Sequence, residues 1–141
     1  MDYIVNRSTI KARVEGAIAR LAASQYSDDG TSLYDSIINS SADESIIDGY
    51  IDDAISGIVA RLANICKDDG NGHITIDAPE MVSVNINMAT LNLNEYIFHS
   101  VIDNWCLDKA PDLAPRYSAQ ADKCLEKAIS VIKTRKIPTR V

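Results

Sequence analysis

A chain of 141 residues with 46% apolar and 24% charged side chains is long enough to close one hydrophobic core, and its composition excludes general disorder. A net charge of −6 argues against a general nucleic-acid binder. With one Trp, one Phe and six Tyr, the core must be filled by aliphatic side chains, which suits helix-on-helix packing.

No apolar run approaches the roughly 20 residues needed to span a bilayer. The start, Met1 to Arg7, lacks the basic-then-apolar order of a secretory signal, so cytosol-like conditions and no membrane partner are expected. Cys66, Cys106 and Cys124 follow apolar residues at helical spacing and read as inert thiols on buried helix faces.

In chain order, a first helix is expected from Ser8 or Thr9, where a hydroxyl caps free backbone N–H groups. Ile10, Val14, Ala17, Ile18 and Leu21 recur at helical spacing before the turn signal Ser27-Asp28-Asp29-Gly30. A short helical turn with Leu33, Ile37 and Ile38 inward follows. The second long helix, Ser41 to Cys66, opens on the capping-box pattern Ser41-Ala42-Asp43-Glu44. Its stripe runs through Ile47, Ile51, Ala54, Ile55, Ile58, Leu62 and Ile65, and Gly49 and Gly57 leave room for a neighbouring helix.

The period then changes to two. His73 to Asp77 and Val82 to Met88 alternate apolar and polar, predicting a β-hairpin at about 73–88. Helix resumes near Leu93 or Asn94, with Ile97, Val101, Ile102, Trp105 and Cys106 inward, and breaks at Ala110-Pro111. Trp105 is in phase with the core stripe; an interface anchor is the other reading. The last helix starts near Pro115 and buries Tyr117, Ala121, Cys124, Leu125, Ala128, Ile129 and Ile132. The fold class is therefore mainly α: a small bundle of four to five helices, with one β-hairpin between the second long helix and the last helix pair. Residues 1–136 form a single domain and 137–141 a tail.

Several groups of residues are of the types that carry chemistry or contacts. Lys67 to Ala78 overlays the calcium loop of the EF-hand family at its third, fifth, sixth and eighth positions (Asp69, Asn71, Gly72, Ile74). Its first and twelfth ligands would be Lys67 and Ala78, which cannot serve, so a tight helix-to-strand turn is expected. His73 reads as a turn residue and His99 as a helix-surface residue. Asp52 and Asp53 are adjacent on a helix and point in different directions, which is unsuited to shared acid–base work. No nucleophile elbow or phosphate-cradling loop is present. Neither catalysis nor a metal or other cofactor is expected.

Charge supplies another candidate. Between Leu21 and Ala60 lie eight acids and no Lys or Arg, whereas Lys127 to Val141 carries five bases and no acid, leaving −11 on residues 1–126. Lys133, Arg135, Lys136 and Arg140 are thus candidate interface residues, with Asp48, Asp52 and Asp53 on the acidic helix as their counterpart on a neighbouring copy. Such head-to-tail contacts close into rings when the rotation allows. The plainer reading of the bases is a solvated helix end that complements the dipole.

The order of elements resembles the head–tail connector (adaptor) proteins of tailed bacteriophages. The resemblance is carried by the helix Ile47-Asp48-Gly49-Tyr50-Ile51-Asp52-Asp53-Ala54-Ile55-Ser56-Gly57-Ile58, the β excursion and the final helix pair. The ending Tyr117, Ala121, Leu125, Ile129, Ile132 followed by Arg135-Lys136-Ile137-Pro138 is also similar. It covers most of the chain as a pattern, without a diagnostic motif. It implies a homo-oligomeric ring, commonly dodecameric, that binds a portal protein on one side and a stopper or tail protein on the other. DNA would pass through the channel without sequence-specific binding. The location implied is the virion neck, with host cytoplasm during assembly. The competing expectations are a cytosolic helical binding or regulatory module, a calcium-responsive protein and, last, an enzyme.

Overall fold

Strand β1 (Asp2–Ile4) leads into helix α1 (Arg7–Ser24), and helix α2 (Glu44–Arg61) comes next among the described residues. Strands β2 (Cys66–Asp68) and β3 (His73–Ile76) follow, then the long helix α3 (Ser83–Lys109), a 3-10 turn (Pro111–Leu113) and helix α4 (Ala114–Lys133). This computed structural model describes residues 2–24, 44–63, 65–70, 72–77, 83–109 and 111–133. The expected turn around Leu33, Ile37 and Ile38, the capping serine Ser41 and the tail 137–141 lie outside them.

Helix α1 is capped by Asn6, not by a hydroxyl. The Thr9 backbone N–H and the Ser8 hydroxyl both donate to Asn6 Oδ1, at 3.2 and 2.9 Å. Its buried stripe is Ile10, Val14 and Ile18. Helix α2 buries Ile47, Ile51, Ala54, Ile55 and Ile58, the face its sequence pattern predicts. It ends at Arg61, short of Cys66, because the chain turns at Leu62 (Ile65 N donates to Leu62 O at 2.9 Å) and enters the sheet.

The hairpin is real but displaced. β2 and β3 pair antiparallel, with Cys66 opposite Ile76 and Asp68 opposite Ile74; β1 pairs with the other edge of β3, placing Tyr3 opposite Ile74. The sheet order is β1-β3-β2. Both edges of β3 are therefore occupied, and a strand at Val82–Met88 could not pair with it as a hairpin partner. Residues Ser83–Met88 are instead the first turns of α3, which runs unbroken to Lys109. The helical stripe Ala89, Leu93, Ile97, Val101 and Trp105 outweighs the short alternation, and Met88, an inward residue of the expected strand, is exposed. Asn85 and Asn87 are also poor strand formers.

Helix α3 is the centre of the bundle: α4 lies along it, and α1 and α2 pack on its other sides. Ile97, Val101, Ile102 and Cys106 are fully buried, and Trp105 is core, at 3% exposure. Helix α4 contributes Ala121, Leu125, Ala128, Ile129 and Ile132, again on the predicted stripe. Among the described residues no helix is long and apolar enough to cross a membrane.

Candidate functional site

The acidic helix face divides into two parts. On one side Arg7 and Lys11 reach from α1 to α2: Arg7 pairs with Asp52 and with Asp48 (3.3 Å), and Lys11 with Asp48 (3.0 Å). The hydrogen bond from Lys11 leads in holding the Asp48 carboxyl below its usual range, and the bond to Asp52 raises the Arg7 pKa. Asp48 and Asp52, expected to face a neighbour, are already engaged within the chain. They are a clamp between α1 and α2.

Asp53 points elsewhere, as adjacent helical positions must. It lines a polar cleft of about 210 Å³ between α2, α3 and α4, with Tyr96, Ser100 and Asp103 from α3 and Ser118 and Asp122 from α4. Burial, and then the neighbouring Asp122, push the Asp103 carboxyl above its usual range. Among the described residues no cation pairs with Asp53, Asp103 or Asp122. Asp53 stands out in the sequence but its companions do not, because the three acids come from three helices and no linear spacing unites them.

Gly57 shapes this cleft. A Cβ there would collide with the Tyr96 hydroxyl, so the missing side chain is what lets Tyr96 lie against α2. Gly49, its counterpart one helical face away, has nothing within 4 Å. Of the basic candidates, Lys133 is the last residue of α4, and Arg135, Lys136 and Arg140 lie outside the described residues. Arg61 pairs with Glu126 and ties α2 to α4.

The calcium-like loop is the β2–β3 turn, between two strands and not between a helix and a strand. Gly70 and Gly72 have φ of 83° and 84°, which L side chains rarely adopt. Asp68 Oδ1 accepts from the Gly70 N–H (3.0 Å) and Asp69 Oδ1 from the His73 N–H (3.1 Å), so the acids serve the turn's backbone. Among the described residues no group of three or more His, Cys, Asp or Glu is placed to hold a metal ion. His73 is a strand residue, its ring between Asp2 (3.6 Å) and Asp69 (3.9 Å).

The thiols differ in setting: Cys106 is buried on α3, Cys124 half-buried on α4, and Cys66 half-buried on a strand, where its Sγ lies 3.7 Å from Val59 O. Burial raises all three pKa values, that of Cys106 to about 11, so none is a ready thiolate at neutral pH. His99 is less exposed than a surface residue. Its Nε2 lies 3.5 Å from Glu95, its ring faces Tyr117 at 6.3 Å, and its Nδ1 is buried without a hydrogen-bond partner.

No family model, curated protein or solved structure matches the chain.

Proposed function

We propose that this chain is a structural subunit of a phage or prophage neck, forming a ring that joins the capsid portal to the tail and continues the DNA channel. The observation that supports this reading is an imbalance of charge. Asp48 and Asp52 are matched by Arg7 and Lys11, while the cleft acids Asp53, Asp103 and Asp122 meet no described cation. The same sequence ends in five bases without an acid. In a ring of identical copies, each basic end lies beside the next copy's cleft, a heterologous contact that closes on itself. Exposed Met88, Leu91 and Leu107 on α3 offer apolar area for the same contacts. The portal would bind one rim of this ring and a stopper or tail protein the other, with DNA contacting the bore through charge alone.

The experiment is a mass measurement by light scattering, on the chain alone and mixed with the portal ring from the same genome. The intact chain should assemble in at least the second condition. Deleting Lys133 to Val141, or replacing Asp53, Asp103 and Asp122 together by Asn, should weaken assembly at least tenfold while helix content stays unchanged. A chain that remains monomeric in both conditions would instead be a helical binding module.

A further inference from the structure

The imidazole of His99 sits where three helices meet, and one carboxylate is shared there. Arg13 of α1 donates to both oxygens of Glu95 on α3, at 2.7 Å to Oε1 and 3.3 Å to Oε2, and its guanidinium lies over the Phe98 ring at 4.1 Å. His99 Nε2 stands 3.5 Å from the same Oε2. Its Nδ1 faces no acceptor. We propose that Arg13, Glu95 and His99 form a pH-responsive latch that holds α1 against α3 at neutral pH and loosens it on acidification.

With the imidazole neutral, Glu95 belongs to Arg13 and α1 is pinned. A proton on His99 creates a second cation competing for Glu95 Oε2 and repelled by Arg13, and it adds a buried Nδ1–H with nothing to accept it. The groups facing the ring are Arg13 from α1, Glu95 from α3 and Tyr117 from α4; Cys124, also on α4, lies near Glu95. Burial is the main cause that lowers the His99 pKa from 6.5, Arg13 adds to it, and Glu95 opposes both. The open state, with Arg13 withdrawn and water admitted, binds the proton more readily. The closed state is therefore fully favoured above the ordinary histidine range and loses ground as pH falls through it. Each unit by which the closed-state pKa lies below the open-state one multiplies opening about tenfold once protonation is complete. The clamp of Arg7 and Lys11 on Asp48 and Asp52 involves none of the latch residues, so α1 keeps its hold on α2 while releasing α3.

The test uses the full chain and two readouts. Proton NMR of the ring Cε1–H should show His99 titrating below the ordinary histidine range, and Arg13→Gln should move it upward. Hydrogen exchange of the α1 amides, corrected for intrinsic rates, should rise several-fold between about pH 7.5 and about pH 5.5. In His99→Gln that rise should vanish. A His99 that titrates at or above 6.5 in the wild-type chain, or an α1 response unchanged in His99→Gln, overturns the latch. If His99→Gln does not fold, the wild-type and Arg13→Gln titrations decide: no upward movement in Arg13→Gln overturns it as well.

Discussion

The Tyr3 ring is 1% exposed between the sheet and α3, and its hydroxyl donates to Asn94 Oδ1 at 2.6 Å across most of the chain's length. Burial raises the phenol's pKa above its ordinary value, so the donor proton is retained at neutral pH. This is the polar tie between a short sheet and the central helix. Removing it with Tyr3→Phe keeps the ring's packing and leaves Asn94 Oδ1 half-buried, where water reaches it in part. The loss should be about 1 kcal/mol, read as a lower urea midpoint at unchanged slope. An unchanged midpoint would show that the tie contributes nothing. Trp105 makes the contrasting case. Its Nε1 is buried without a partner, so the ring stays in the core through packing area alone, against a penalty of about 1–3 kcal/mol for the unmade bond.

At the scale of elements, the two glycines of α2 separate helix propensity from packing. Gly49 has open space where a Cβ would go, so Gly49→Ala should stabilise by about 1 kcal/mol. Gly57→Ala gains the same propensity but drives the Tyr96 hydroxyl away from α2, and its net gain should be smaller. Tyr96→Phe removes the colliding atom, so in that background the Gly57→Ala gain should return toward the Gly49→Ala value. Thermal or urea denaturation of the four variants reads the cycle; equal gains at both glycines in the wild-type background would refute the close approach.

How far the sequence reveals these elements follows from the range of the forces that make them. The stripes Ile47-Ile51-Ile55-Ile58 and Ala121-Leu125-Ala128-Ile132 are legible because a helix buries a face set by its own spacing. The sheet is less legible. The brevity of β1 and β2 leaves no periodic signal, and the pairing of Tyr3 with Ile74 joins distant segments. The alternation at Val82–Met88 is ambiguous over so few residues, and the buried stripe from Ala89 onward decides it for helix. Likewise Asp53 is visible as a candidate, but its meeting with Asp103 and Asp122 depends on how three helices pack.

Across the whole molecule, two kinds of interaction respond differently to salt. The core of the described residues contains no buried polar or charged residue, so the fold rests on apolar burial, which added salt does not screen. The ion pairs that join helices, Arg7–Asp48, Arg7–Asp52, Lys11–Asp48, Arg13–Glu95 and Arg61–Glu126, are on partly exposed side chains and are minor contributors beside that burial. The proposed contact between copies is the reverse case: basic residues of one copy against the acidic cleft of the next, an attraction between net charges. Screening length falls from about 10 Å at 0.1 M salt to about 3 Å at 1 M, which removes attraction at the distances over which such ends find each other. Raising salt over that range should therefore dissociate assemblies, seen as a fall in mass by light scattering. The thermal midpoint of the subunit should move by no more than a few degrees, and helix content should not change. If assembly instead persists or strengthens at 1 M, the contact is apolar. The exposed Met88, Leu91 and Leu107 would then carry it in place of the charged end, and Leu91→Ser, at 64% exposure the freest of them to change without disturbing the core, should abolish it.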